Sequence, residues 1–393
     1  MVVNVGIGKG DITGDTNAAI QQALDAAGAY GGGVVEIGPG VYTLYDSVRL
    51  RRNVRLVGAG ADTVLRKCDG VQSELAVDAD YGQKKVTAKD ASGFRTGMGV
   101  VLRDDNSGGW MDTVATITLV QGNVIYVDRH FVMDYNADAG GLICNSFPLI
   151  AGIDVDSVLI EGIQLDGNRA TNQPINGCVG GGIYLHRARK CRLADCVVRH
   201  FAGDGISFQI TQDIEVERCE VVHATGLGLH PGTGSVRPVL RNCKSIGNDL
   251  DGVFLCWRVQ DGRFEGNEIT GNGRFGISIG HKDTDNLFLG NIIRGNRSHG
   301  IYFRDEKPTN AGNRNTFQRN VIEDNEGCGI FVDGHTTDLL FEDNTIRDTR
   351  SGAARTQRTG ICAGPNAARV RALRNRIENH TEGATTGEVA VEG

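Results

Sequence analysis

Proline is scarce, with 7 residues in a chain of 393 that carries 56 glycines. A disordered Pro/Gly tract is therefore excluded, although glycine stands at about twice its usual share. Basic charge is also lacking: 41 Lys and Arg face 48 Asp and Glu, a formal net charge of -7. A general nucleic-acid binder would be basic, so nucleic acid is not an expected partner. No apolar run approaches the roughly 18 residues of a membrane span, so no membrane partner is expected. The N-terminus, MVVNVGIGKGDITGD, has no basic start followed by an apolar region, so no signal peptide is expected in this chain. None of the ten cysteines lies in a C-x-x-C pair and no Cys/His set has zinc-finger spacing, which argues against a structural zinc site.

What is present is a repeat. Gly followed by an aliphatic residue recurs at Gly182, Gly205, Gly228, Gly252, Gly276, Gly300, Gly329 and Gly360, at steps of 23, 23, 24, 24, 24, 29 and 31. A second marker runs in phase through Cys196, Cys219, Cys243, Asn267, Asn291, Asn320, Asn344 and Asn375. A third holds Asn248, Asn272, Asn296 and Asn325. Each repeat has room for about three short strands with turns between them, and such strands are stable only when rungs stack about 4.8 Å apart. The period predicts an all-β parallel β-helix of 23–24-residue rungs. Stacking places like on like, so the Asn residues are expected to form ladders of side-chain amides. The three cysteines are read as stacked, buried, reduced thiols rather than disulfides.

Asp15 is placed to cap a helix through TNAAIQQALDAAGAY, with Ala19, Ile20, Leu24 and Ala27 on one face. Such a helix covers the open end of a solenoid. Residues 1–67 therefore read as an N-terminal cap and first rungs, 68–150 as a β-rich insertion, 151–377 as the main β-helix with its groove, and 378–393 as a polar, poorly ordered tail.

The segment GDITGDTNAAIQQALDAAGAYGGGVVEIGPGVY resembles the N-terminal signature of the pectate-lyase-like right-handed parallel β-helix superfamily. The resemblance implies the right-handed form. A narrower similarity is carried by LDGNRATN, GLGLHPG, NDLDGVF and GRFGISI, which follow the order and phase of the mannuronan C5-epimerase catalytic modules. It matches Pro231, Asp251 and Arg274 to the family's proline, aspartate and arginine. It also sets Leu227 where that family has tyrosine, His230 where it has aspartate and Gly232 where it has histidine. Those three groups carry the family's proton transfers, so the resemblance implies a relative with altered chemistry.

In a stacked rung the residue after Gly-aliphatic points away from the core. That puts Tyr184, Ser207, His230, Phe254, Ser278, Tyr302 and Phe331 in one outward column, expected to line a groove. From Cys256 to Arg319 ten Lys/Arg face seven Asp/Glu, an excess that would attract an acidic polymer. Abstraction of the C5 proton of a uronate needs a group to neutralise the carboxylate, a base and an acid. His230 is the candidate base. Arg274 and Arg304 are candidates to hold carboxylates, and Tyr302, His281 or Lys282 to supply the acid. Asp251 is read as orienting His230 or binding a cation. Trp257, Arg258, Asp204, Tyr184, His299 and Asp305 are candidate substrate contacts.

The expected function is thus a carbohydrate-active enzyme, a lyase or epimerase on an acidic polysaccharide. One alternative is a glycoside hydrolase with paired carboxylates from Asp204, Asp249 and Asp251. The other is a non-catalytic, tailspike- or adhesin-like glycan-binding β-helix. Ca²⁺ stays open as a cofactor, because scattered Asp residues neither require nor exclude an oxygen-ligated site. The oligomeric state is open too. Reduced cysteines suggest the cytoplasm and a polymeric substrate suggests export, with secretion favoured if a leader has been removed.

Overall fold

Three parallel sheets, of fourteen, eleven and eleven strands, run the length of a computed structural model that describes residues 1–392. A six-stranded antiparallel sheet stands apart from them. The chain visits the three parallel sheets in turn, making a parallel β-helix. Ile206, Leu229, Val253, Ile277, Ile301, Ile330 and Ile361 lie on one another in register and are buried. The glycine before each is a steric requirement. A methyl group at Gly252 would meet Ile269 Cγ2 at 2.3 Å, where the turn passes against the core.

The second marker follows a sharp corner. The residue before each Cys or Asn is left-handed: Asp195, Arg218, Asn242, Gly266, Gly290, Arg319, Asp343 and Arg374 all have φ between 50° and 64°. That conformation costs roughly 1–2 kcal/mol for most side chains, and the ladder beside it offsets the cost. Asn267 Nδ2 donates to Asn291 Oδ1 at 2.9 Å, Asn291 to Asn320 at 2.9 Å, Asn320 to Asn344 at 2.9 Å and Asn344 to Asn375 at 2.8 Å. Asn248, Asn272, Asn296 and Asn325 form a second ladder that ends on Gln357 Oε1 at 3.0 Å. Cys196, Cys219 and Cys243 are buried free thiols, and Cys243 N donates to Asn267 Oδ1 at 2.9 Å, continuing the first column. Phe264, Phe288 and Phe317 stack inside the same rungs with ring centroids 4.5 and 4.4 Å apart.

The helix spans Asn17–Ala29 and buries Ala19, Ile20, Ala23, Leu24 and Ala27. Its cap is Thr16 rather than Asp15: Thr16 Oγ1 accepts from Ala18 N, while the Asp15 carbonyl accepts from Thr43 N at 2.8 Å. The antiparallel sheet uses strands between Gln72 and Cys144 around a core of its own that includes Leu75, Val100, Ile117 and Tyr135. The tail is not the poorly ordered segment expected from its polarity. Strands Gly383–Thr386 and Val389–Glu392 pair with the last full rung, where the edges offer unpaired backbone groups.

Candidate active site

The groove face is the sheet that holds strands Ile183–His186, Ile206–Gln209, Leu229–Pro231, Val253–Phe254, Ile277–Ile279 and Ile301–Phe303. The predicted column is in register, Tyr184 beside Ser207 beside His230, and Phe254 beside Ser278 beside Tyr302 beside Phe331. It is not uniformly open. Tyr184, Ser207, His230 and Ser278 are buried, because two excursions fold back over the sheet. The first, residues 167–182, is a roof: Gly177 O accepts from Ser207 Oγ at 2.6 Å and Cys178 O from Tyr184 OH at 2.7 Å. Tyr184 thus holds the roof from below. The antiparallel sheet braces it, with Arg103 Nη1 donating to Pro174 O at 2.7 Å. The second excursion, in the 29-residue rung, brings Asn310 O within 2.6 Å of Lys282 N.

Beneath the roof His230 is 3% exposed and its Nδ1 lies 2.7 Å from Asp204 Oδ2. Asp204 Oδ1 accepts from Leu227 N at 2.9 Å. With a carboxylate as acceptor, Nδ1 carries the proton. On the other side of the ring Nε2 lies 3.3 Å from Gln209 Nε2. Burial pulls the imidazolium down, but the Asp204 and Cys256 contacts overcome it and raise His230 to about 9. Asp204 is therefore a buried group that orients His230. Asp251 does not orient His230. It is fully buried, its two oxygens accept from Arg274 Nε at 2.6 Å and Nη2 at 2.8 Å, and Oδ1 also accepts from Phe275 N at 3.1 Å. Asp251 instead fixes Arg274, whose guanidinium also lies over the Phe275 ring. Asp204, Leu227, His230, Phe254 and Arg274 line one recess of about 310 Å³ under Pro174–Gly177.

Arg304 does not hold a free carboxylate. Its Nη2 donates to Leu255 O at 2.9 Å, Cys256 O at 2.8 Å and Asp283 Oδ2 at 3.1 Å, its Nη1 to Ser278 Oγ at 3.0 Å, and its face covers Phe254. It cross-links the framework. The expected local positive field is similarly reduced: Arg263, Arg274, Arg294, Arg304 and Arg314 are each paired with a carboxylate. Arg258 and Lys282 sit on left-handed corners and make no ion pair among the described residues.

Toward the C-terminal end the groove is aromatic. Tyr302 stacks on Phe275 with centroids 4.4 Å apart, and its hydroxyl donates to Asp333 Oδ2 at 3.3 Å. Burial, with Asp333 adding to it, pushes the phenol up. His299 is no free polar contact: its Nδ1 accepts from Cys328 N at 2.9 Å, and burial pulls its pKa down. Trp257 is 49% exposed and stacks on His281 at 4.6 Å, whose Nδ1 lies 3.5 Å from Glu306. That contact places His281 on the Trp257 platform rather than beside His230 as an acid. Asp305 is exposed on the second excursion. Of the three carboxylates considered for a hydrolase, Asp204 and Asp251 are committed to protein donors, and Asp249 lies 3.3 Å from Arg169 at the surface. Among the described residues no group of three His, Cys, Asp or Glu converges on one position.

Gln209, Cys178 and Cys256 were not singled out from the sequence. Gln209 explains one departure from the epimerase pattern. A Cβ at position 232 would lie 2.0 Å from the Gln209 amide, so a side chain from the previous rung fills the space and Gly232 must have none.

The sequence model described as "Right handed beta helix region" matches residues 161–313 and 308–388. The chain belongs to this family. Among its relatives is the mannuronan C5-epimerase AlgE6 of Azotobacter vinelandii, 25% identical over 279 residues, which are 69% of this chain and 22% of that protein. The chain spans about a fifth of that relative's length. The structure of this right-handed β-helix protein is similar to the A-module of AlgE6 from Azotobacter vinelandii, with a TM-score of 0.65 at 17% identity, covering 96% of this chain and 91% of that one. It is also similar to a polygalacturonase from Erwinia carotovora ssp. carotovora, with a TM-score of 0.60 at 12% identity, covering 99% and 96%. At these identities the two structures speak for the fold. Together the comparisons place this chain among right-handed β-helix proteins.

Proposed function

We propose that this protein acts on a uronate-containing polysaccharide by moving the C5 proton, as a lyase or an epimerase. The observation that carries the reading is that two carboxylate-oriented pairs, Asp204–His230 and Asp251–Arg274, open on one recess. Arg274 has two of its nitrogens fixed on Asp251, and its remaining edge is available to a substrate carboxylate without reorganisation. Neutralising that carboxylate lowers the cost of the negative charge that develops when C5 loses its proton. His230, held by Asp204 in one tautomer, is the proton carrier. In its neutral form it accepts the C5 proton, and as the imidazolium it returns one to the glycosidic oxygen on the same face, which gives elimination. Epimerisation requires a donor on the opposite face, and Tyr302 fills that role. Substrate reaches the His230 ring when Pro174–Gly177 moves aside.

The test is incubation with a panel of polyuronates in deuterium oxide, followed by proton NMR and the ultraviolet absorbance of a new C4–C5 double bond. Absorbance marks a lyase, and C5 deuterium without absorbance marks an epimerase. New reducing ends with neither would overturn the proton-transfer reading. One observation favours a second reading: His230 lies almost wholly beneath the roof. A glycan-binding β-helix without turnover would use Trp257 and the Phe275–Tyr302 stack as its platform. Binding of a polyuronate with no chemical change would support it.

A further inference from the structure

The six-stranded antiparallel sheet does more than brace the roof. Between it and the first groove rungs lies a cavity of about 290 Å³. The base of this cavity belongs to the outward column. Arg49 lies beside Ala151 and Ala151 beside Tyr184, so the column that holds Ser207 and His230 continues two rungs before the first repeat marker. Val114 and Ala115 of strand Thr113–Gln121 and Arg129, just beyond strand Val124–Val127, contribute from the insertion, and Val179 from the roof. The same roof lends Pro174–Gly177 to the His230 recess, so it stands between the two. From Arg49 to His230 there are four rung steps, about 19 Å at the spacing of paired strands.

Three guanidinium groups and no carboxylate line the cavity. Two of the three are answered from outside it. Arg49 Nη2 donates to Asp46 Oδ2 at 2.9 Å and to Thr116 Oγ1 at 2.6 Å, and Arg51 Nη2 lies 2.5 Å from Asp25 Oδ1. Arg129 is exposed and makes no ion pair or side-chain hydrogen bond among the described residues. One positive charge is therefore left over, beside the apolar side chains of Leu50, Val114, Ala151 and Ile153. Apolar walls with a few placed polar groups are the usual build of a ligand site. The margin carries an aromatic pair. His186 stands beside Ile153 in register, and the Trp110 ring lies against it with centroids 5.3 Å apart. Trp110 is 38% exposed, so one part of the indole is open. Burial pulls the His186 pKa down to about 4, and its ring packs there as a neutral aromatic.

We propose that this cavity is a second glycan subsite, which binds the carboxylate of one sugar residue of the polymer on Arg129 and takes the sugar ring against Trp110. That the carboxylate belongs to a uronate rests on the reaction proposed above. A guanidinium meets a carboxylate with two parallel hydrogen bonds, and a neutral sugar offers no such partner. A polyuronate lying along the column reaches Arg129 and the His230 recess with different residues. The insertion thus builds a site that holds the chain away from the place of reaction, and no proton moves in it.

The chain has two tryptophans, so W257F leaves Trp110 alone to report on this cavity by its fluorescence. The full chain with W257F is titrated with galacturonate and mannuronate hexasaccharides, with their methyl esters and with free galacturonate. The expected result is a saturable change with an acidic hexasaccharide and none with its ester. Adding R129Q should weaken the binding at least ~10-fold. Arg129 is exposed, and an unchanged melting temperature checks that its replacement leaves the fold intact. An equal response to acid and ester, a response that R129Q leaves unchanged, or no response to either acid would overturn the proposal. Saturation by free galacturonate at no higher concentration than by the hexasaccharide would overturn the polymer as occupant. Turnover of a polyuronate without a Trp110 response would refute this subsite and leave the proposed reaction standing, and a Trp110 response without turnover would do the reverse.

Discussion

His230 Nδ1 lies 2.7 Å from Asp204 Oδ2, and both side chains are buried. Asp204 stands on the rung before His230, directly ahead of Gly205, and Gly177 of the roof closes over both. The contact therefore joins two rungs and an excursion at one point. The stability of the roof and the charge of the imidazole are linked through it.

The link has a sign. The pKa of His230 is raised from 6.5 to about 9, so its contribution to stability is fully present below pH 6.5 and is lost as pH rises through about 9. The shift corresponds to on the order of 3 kcal/mol. Urea denaturation of wild type and H230Q from pH 6 upward should show a gap between the two that narrows toward alkaline pH. A gap independent of pH would show that the imidazole is neutral in the fold.

The proposed reaction makes Arg274 and Asp251 a unit. R274K keeps the charge but loses the two-point contact with Asp251. Turnover should fall about 10²-fold in R274K and comparably in D251N, with a double variant little worse than either. Steady-state kinetics on the responsive polyuronate would check this. Independent, multiplicative effects would separate the two residues.

Gly177 has no room for a side chain. A Cβ there would sit 1.7 Å from Asp204 Oδ2 and 2.7 Å from His230 Nδ1, so G177A must displace the roof. Carbethoxylation of His230, followed by mass spectrometry, should become readily detectable in G177A and stay slow in wild type. Equal protection in both would mean that the roof absorbs the methyl group.

The amide ladders carry stability rather than chemistry. N291A strips the acceptor from Asn267 N and Nδ2 and a donor from Asn320 Oδ1. The expected cost is on the order of 3 kcal/mol in urea denaturation, since buried groups are left unpaired. N375A, at the half-buried end of the column, should cost less than half as much.

Trp257 offers the most exposed aromatic face of the groove, and W257A removes it without touching the core. Polysaccharide affinity should weaken about 10-fold while the melting temperature is nearly unchanged. Titration calorimetry with the same polymer reads the first and thermal unfolding the second.

The fold was legible because it is periodic. The Gly-aliphatic steps set the register of Ile206 on Leu229 on Val253, and the Asn spacings anticipated both ladders. Side chains such as His230 and Phe254 leave the core as their phase requires. What periodicity could not supply is what covers them. The roof and the second excursion are departures from the repeat, so the burial of Tyr184, Ser207 and His230 had no periodic signal. Pairing between columns was similarly hidden. Asp204 and Asp251 both precede a marker glycine, yet one faces His230 and the other Arg274, and only side-chain direction separates them. Gln209 and Cys256 stand two residues beyond Ser207 and Phe254 in the same phase, where spacing alone does not set them apart.

The ladders also have a polarity. Each Asn Nδ2 donates forward to the Oδ1 of the next rung toward the C-terminus, from Asn267 to Asn375 and from Asn248 to Gln357. The amide dipoles therefore align head to tail along the solenoid axis, each polarising the next. The two ends of the column are electrically unlike: its carbonyl end faces the cysteine rungs, and its N–H end points to the last turn. A rung added at the C-terminal end is stabilised if it brings an acceptor, as Gln357 does for Asn325, and a rung that brings only a donor leaves the column open.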